Sequence, residues 1–319
     1  MKILFYGAGS LGSVFGGYLA RSHDVTLICR ARHADAINKR GLLIYMPEDS
    51  HFTVFPRAYS SIEELKETYA CIIISVKTYD LEQACRAIST QFNLSPTLES
   101  SKTSYYPKII LLQNGLGNEE VASQFFPARF IYRILTTNGA FFIKPGVIEH
   151  SGRGKTQIGK YIPSENDEFL LQMSEVLTNA GLETIPIYNL KERVWQKLAV
   201  NAAINPITAL TGLKNGEVLR SSTLLAVIKE IILEVENVAR VSEDLRLINT
   251  LEKVIEVLKD TKENKSSMLQ DIEAGRKTEI DFINVQIVKR SQKFNLRTPY
   301  SHLLAALIVA RKLRDFKED

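Results

Sequence analysis

Cysteine is scarce in this chain, and histidine is hardly more common. Three cysteines, Cys29, Cys71 and Cys85, and five histidines are scattered over 319 residues. An odd cysteine count without metal-ligand spacing argues against a disulfide framework and against a structural zinc. A reduced, cytoplasmic protein with no metal site is the expectation. Long apolar runs are missing too: stretches such as CIIISV at 71–76 fall far below the roughly 18 residues of a membrane span. The opening MKILFYGAG shows no cleavage-site pattern, so no signal peptide is expected. Dense basic blocks are absent, and 40 Lys+Arg against 36 Asp+Glu leave a formal net charge of +4. That distribution excludes a nucleic-acid stripe and suits a small anionic ligand. Neither internal repeats nor low-complexity tracts occur.

The hydrophobic fraction of 45% with 24% charged residues is that of a globular protein. A chain of 319 residues exceeds what one core usually serves, so two domains are expected. In the first half KILFYGA, DVTLIC, LLIYM, CIIISV and IILLQ read as strands, separated by amphipathic stretches such as 12–22 and 81–89. This alternation predicts a mostly parallel sheet with helices on both faces. Residues 91–108, rich in Ser, Thr and Pro, read as a surface loop inserted before the fifth strand. Residues 130–159 read as further strands joined by Gly and Pro turns, followed by a helix near 165–180 and the strand ETIPI. Beyond about residue 189 the period becomes helical, down to a charged end, RKLRDFKED. The expected division is 1–188 and 189–319.

GAGSLG at 7–12 follows the first strand and opens a helix. Gly7 suits a tight turn, Gly9 a close approach to a pyrophosphate, and Gly12 helix–strand packing, while the helix N-terminus at Ala8, Ser10 and Leu11 offers bare N–H groups to phosphate. The first domain therefore reads as a Rossmann-type, doubly wound dinucleotide-binding domain. An NAD enzyme would usually place an acidic residue at the end of the second strand; here ICRAR offers Arg30, helped by Arg32, to a 2′-phosphate. NADP(H) is the expected cofactor. Lys77 in SVKTYD and Asn114 in LLQNG stand just past the fourth and fifth strands, where ligands of open α/β sheets bind. For Asn114 a turn role before Gly115 is the rival.

In the helical half, KLAVNAAIN at 197–205 carries Lys197, Asn201 and Asn205 four apart in an apolar run. Each step of four advances about 40° around the axis, so the three side chains form one polar line. A lysine in a dry cleft can stabilise charge on a carbonyl oxygen and deliver its proton, with the asparagines orienting lysine and substrate. The competing reading is a stripe that faces water. A second constellation is SSMLQDIEAGRKTEID at 266–281. Ser267 with Gln270 reads as a capping box, and Thr278 with Asp281 as another helix start. On one straight helix Ser267 and Glu279 would lie about 18 Å apart. Gly275 reads as a helix C-cap, and a break there would let the chain fold back so that both reach one pocket. Glu279 would then sit in a first helical turn, where the dipole favours a carboxylate; the rival reading makes each of the two only a cap.

GAGSLG, SVKTYD, LLQNG, HSGRGKTQIG, WQKLAVNAAINPITAL, NGE and SSMLQDIEAGRKTEID together resemble the ketopantoate reductase (2-dehydropantoate 2-reductase) family over nearly the whole chain. The resemblance implies a Rossmann domain and a helical domain with the site between them, and NADPH-dependent reduction of 2-dehydropantoate to (R)-pantoate on the route to pantothenate and coenzyme A. It implies Lys197 as general acid and Glu279 as partner of the substrate hydroxyl. Asn201, Asn205, Asn215 and Ser267 would hold substrate, and Gly7, Gly9, Gly12, Arg30, Lys77, Asn114 and Ala140 would contact NADPH. The implied partner is a small 2-oxo acid, and a homodimer is one possible assembly. The 91–108 insertion is longer than the family pattern. Rival readings are a reductase of another branched or aromatic 2-oxo acid and a non-enzymatic NADPH sensor.

Overall fold

The structure, a computed structural model, describes residues 1–97 and 106–315. Residues 98–105 of the insertion expected at 91–108 and the end of the charged C-terminal stretch lie outside the described residues. The chain divides into two compact units, Met1–Gln113 with Asn118–Leu190, and Asn114–Gly117 with Lys191–Asp319.

The first unit is built in chain order from β1 (Lys2–Tyr6), α1 (Ser10–Leu19), β2 (Asp24–Ile28), α2 (Ala31–Arg40), β3 (Leu42–Tyr45), β4 (His51–Val54), β5 (Arg57–Tyr59), β6 (Cys71–Ile74) and α3 (Leu81–Gln91). It continues through β7 (Lys108–Leu111), α4 (Asn118–Ala122), β8 (Ile131–Thr136), β9 (Gly139–Lys144), β10 (Val147–Gly152), β11 (Thr156–Lys160), α5 (Glu168–Ala180) and β12 (Thr184–Ile187). Eight strands form one sheet in the order β12-β11-β8-β7-β6-β1-β2-β5. All its pairs are parallel except β8 with β11. The central strands are continuous apolar runs because both faces are covered; Cys71, Ile72, Ile73 and Ile74 are all fully buried.

One strand expectation is corrected. Leu42–Tyr45 does not join the main sheet but forms a four-stranded sheet in the order β4-β3-β10-β9. The short β5 takes the edge beside β2 instead. Helix α1 packs against strands of both sheets, and two adjacent glycines make this possible. A Cβ on Gly16 would lie 2.8 Å from Leu27 of the main sheet, and one on Gly17 would lie 2.2 Å from Ile44 of the smaller sheet. Side chains on that stretch would separate the layers.

Among its described residues the second unit is helical: α6 (Leu190–Thr211, whose first residue ends the first unit), α7 (Asn215–Val218), α8 (Ser222–Glu243), α9 (Thr250–Asp260), α10 (Ser267–Glu273), α11 (Asn284–Lys293) and α12 (Pro299–Asp315). Much of helix α6 is buried, with Trp195, Ala199, Ala202 and Ala203 fully so. Pro206 lies inside it and has no N–H for the carbonyl of Ala202. The side chain of the fully buried Asn284 donates to that carbonyl at 3.1 Å, so the helix continues. No helix among the described residues is long and apolar enough to cross a membrane.

Candidate functional site

The carboxyl end of β1 runs into Gly7 with φ +97°, a conformation that L side chains rarely adopt. A Cβ there would also lie 2.7 Å from the backbone nitrogen of Val76, just past β6. Chain order places β2 on one side of β1 and β6 on the other, so the loop sits at the point where sheet order reverses. At Gly12 a Cβ would meet Ser75 Oγ at 2.3 Å, whereas at Gly9 the nearest atom is 3.9 Å away. Gly7 and Gly12 are thus required by the protein's own packing, and Gly9 is bare toward open space, as a closely approaching phosphate needs. Helix α1 starts there with no side-chain cap and no acidic residue in its first turn. Its N-terminal N–H groups at Ser10, Leu11 and Gly12 have no partner within the helix, and this donor set fits a dinucleotide pyrophosphate.

A buried relay stands behind this loop. The backbone N–H of Gly146, in the turn between β9 and β10, donates to His33 Nδ1 at 2.9 Å. The His33 proton is therefore on Nε2, which donates to Ser13 Oγ at 3.1 Å. Ser13 in turn donates to the carbonyl of Ala8 at 3.2 Å. Burial pulls the His33 pKa down to about 4, so the ring is neutral near neutral pH. His150 anchors α1 in a similar way, accepting from Tyr18 through Nδ1 at 2.8 Å and donating through Nε2 to Asn138 at 2.9 Å. Sequence reasoning missed both histidines, having found in the five only a lack of metal-ligand spacing.

Arg30 is exposed at the start of α2, directly beyond β2 and Cys29. Lys77 precedes a short 3-10 turn, Thr78–Asp80, after β6. Ala140 lies half-buried on β9 in the smaller sheet. The three cysteines are buried, and desolvation pushes each thiol up to about 12, which leaves them poor nucleophiles.

In the second unit, Lys197 and Asn201 on α6 are half-buried and Asn205 is buried. The stripe therefore does not simply face water. Thr208, one turn on, donates to Ser266 Oγ at 2.7 Å, tying α6 to the start of α10. The expected caps are corrected by one residue. Ser266, not Ser267, is the N-cap, accepting from the N–H of Leu269 at 3.2 Å, because the chain turns into the helix one position earlier. Ser267 is exposed, and Gln270 turns back to the carbonyl of Lys265. No helix starts on Thr278, which is buried; a 3-10 turn begins at Ile280 with Glu279 before it. Glu279 thus stands outside the first turn of an α-helix and caps nothing with its side chain.

The break at Gly275 is as expected. This residue has φ +62°, its N–H donates to Ile272, and the next, of Arg276, donates to Asp271, the double bond pattern of a Schellman end. Glu279 is 6% exposed and accepts from Asn114 Nδ2 at 3.3 Å. The four-residue segment around Asn114 is fitted closely to this place. Leu116 N–H donates to the carbonyl of Phe282 at 3.0 Å, and a Cβ on Gly115 would strike that same oxygen at 2.4 Å. Asn215 is buried, and its amide donates to Thr261 Oγ1 at 2.8 Å. The structure thus joins Asn114 to Glu279 directly, and holds Asn215 by a neighbour the sequence did not suggest.

Comparison with known proteins covers most of the chain. The family model described as Ketopantoate reductase PanE/ApbA matches residues 3–163, and its C-terminal counterpart matches residues 189–312. A 2-dehydropantoate 2-reductase of Pyrococcus horikoshii is 40% identical over 314 residues, covering 98% of each chain. Among solved structures, a PanE/ApbA family ketopantoate reductase from Ralstonia eutropha is 26% identical with a TM-score of 0.85, covering 98% of this chain and 99% of that one. A D-mandelate dehydrogenase solved with NADH and anilino(oxo)acetate is 25% identical with a TM-score of 0.86, covering 98% of both. By the two family matches and the full-length identity to a named relative, this chain belongs to the ketopantoate reductase family of oxidoreductases.

Proposed function

We propose that the protein reduces 2-dehydropantoate to (R)-pantoate with NADPH, in the cytoplasm, on the route to pantothenate and coenzyme A. The observation that carries this reading is the buried carboxylate of Glu279, which makes no cap on the turn it precedes and accepts from the amide of Asn114. A buried carboxylate is a strong hydrogen-bond acceptor, and a substrate hydroxyl is a donor it can accept from. NADPH would be held through Gly7–Gly12 at the pyrophosphate and Arg30 at the 2′-phosphate, with Lys77, Asn114 and Ala140 as further contacts. When bound, NADPH supplies the hydride that reduces the C2 carbonyl.

The chain's own residues handle charge and protons. As the carbonyl carbon gains hydride, its oxygen gains negative charge. The Lys197 ammonium stabilises that oxygen and gives it a proton from Nζ, and the neutral amine is reprotonated from solvent. Asn201, Asn205 and Ser267 hold the substrate in register, with Asn215 nearby, and Glu279 accepts from its hydroxyl. The testing assay is the loss of NADPH absorbance with ketopantoate as substrate. Lys197→Ala should lower kcat by orders of magnitude with NADPH binding retained, and near-normal turnover removes Lys197 from proton transfer. Arg30→Ala should weaken NADPH far more than NADH; equal losses contradict the 2′-phosphate assignment.

A second reading follows from the similarity to D-mandelate dehydrogenase with NADH: a reductase of another bulky 2-oxo acid. Comparing kcat/KM for ketopantoate with that for 2-oxoisovalerate and benzoylformate decides between them. A site with a buried acceptor for the substrate hydroxyl rewards the substrate that has one. No advantage for ketopantoate would remove that role from Glu279. Nucleotide binding without turnover of any 2-oxo acid would instead favour a sensor.

A further inference from the structure

The chain leaves the first unit after Gln113 and re-enters it at Asn118. Both ends of this excursion are gripped by one side chain. Arg133 on β8 lies beside Leu111 of β7. Its Nη2 donates to the carbonyl of Gln113 at 2.9 Å, and its Nη1 donates to Glu119 Oε1, in the first turn of α4, at 2.7 Å. The guanidinium is 1% exposed and Glu119 5%. The Gln113 side chain adds a bond to the carbonyl of Ile74 at 2.8 Å. The departure point is thereby tied to two neighbouring strands.

A buried ion pair is a poor device for stability, since apolar residues of the same volume usually serve as well or better. What a planar fork does supply is geometry: two acceptors held at a set distance and angle. Here the two acceptors are the last residue before, and the second residue after, the segment Asn114–Gly117. That segment contains two glycines at positive φ, Gly115 at +86° and Gly117 at +91°. Glycine-rich backbone has many alternative paths, so its course must be imposed from outside. The carbonyl that Arg133 holds belongs to the peptide joining Gln113 to Asn114, and its orientation directs the residue whose amide reaches Glu279.

We propose that Arg133, with Glu119 as its counter-ion, is a positioning residue that sets the placement of Asn114 on Glu279, and through it the geometry of reduction. The proposal rests on the role given above to Asn114 and Glu279. The Arg133 guanidinium bonds Glu119 and the carbonyl of Gln113, so the signature of the role is a loss that is coupled to Asn114. The test is a double-mutant cycle on the full chain with ketopantoate and saturating NADPH. Lysine at 133 keeps the charge but cannot bond both acceptors as a fork does. Arg133→Lys and Asn114→Ala are each expected to lower kcat about tenfold, and the double variant is expected to stay within about twofold of Asn114→Ala alone, the non-additivity of residues acting as a unit.

Losses that multiply to about a hundredfold overturn the proposal and leave the role of Asn114 intact. Normal kcat in Asn114→Ala overturns both the proposal and the reading beneath it. If Arg133→Lys does not fold, Glu119→Gln, which keeps volume and an acceptor, replaces it in the same cycle. A Glu119→Gln loss that vanishes in the Asn114→Ala background supports the proposal; a loss that persists there, or no loss at all, overturns it.

Discussion

The relay behind the glycine loop makes a quantitative prediction about acid. His33 is 2% exposed, and desolvation lowers its pKa from 6.5 to about 4. Its Nδ1 already accepts the Gly146 N–H, so a proton added there would set two donors against each other. In the unfolded chain the same imidazole titrates near its ordinary value. Between the two pKa values the unfolded state therefore binds more protons than the folded state, and stability falls as pH falls. The neutral-ring advantage is complete above about pH 6.5 and is lost progressively toward pH 4. At about pH 4.5 the linkage relation gives a loss of roughly 2 to 3 kcal/mol relative to about pH 7.5.

His33→Gln removes the titration and keeps hydrogen-bonding groups. Urea unfolding followed by far-ultraviolet circular dichroism at both pH values measures the quantity. Carboxylates and His150 weaken both proteins in acid, so the relevant number is the difference between the two pH dependences. The variant is expected to be less stable at neutral pH and to lose about 2 to 3 kcal/mol less than the wild type on acidification. Equal losses within about 0.5 kcal/mol, the tolerance of additive sites, would refute the claim that the ring is held neutral.

Three further outcomes are expected. Gly9→Ala should fold normally and bind NADPH weakly, because its Cβ enters only open space; undiminished affinity in a titration would remove the loop from phosphate binding. Gly7→Ala, at φ +97° and against Val76, should instead lower thermal stability, by about 1 to 3 kcal/mol. Asn284→Ala should cost roughly 1 to 3 kcal/mol in unfolding followed by the fluorescence of Trp195, since the carbonyl of Ala202 loses its donor. The cost should shrink in a Pro206→Ala background, where a helical N–H returns, and an unchanged cost would separate Asn284 from the proline.

Chain pattern alone carried much of this protein. The apolar runs of β1, β2, β6 and β7 and the glycines after β1 specify a parallel sheet with a phosphate-shaped turn, because a buried strand and a tight βα turn each demand particular residues locally. The change to helical period near residue 189 makes the second half read as helical, while the spacing of Lys197, Asn201 and Asn205 gives one polar line and leaves open whether it faces water. Local pattern was weaker wherever the choice lay between near-equivalent neighbours. Ser266 and Ser267 are the same residue type, and only the backbone angles decide which one caps. Strand character at Leu42–Tyr45 was legible, but its sheet was not, since beside the adjacent β4 it pairs with β10, more than a hundred residues away.

Tertiary structure alone decided the contacts of high sequence separation. Asn114 and Glu279 are 165 residues apart, His33 and Gly146 113, and Asn284 and Ala202 82. Each is a hydrogen bond between groups whose individual positions follow no period, so no repeat in the chain announces them. They exist because folding buries polar atoms that must then find partners, and which partner is at hand is a property of the packed chain as a whole.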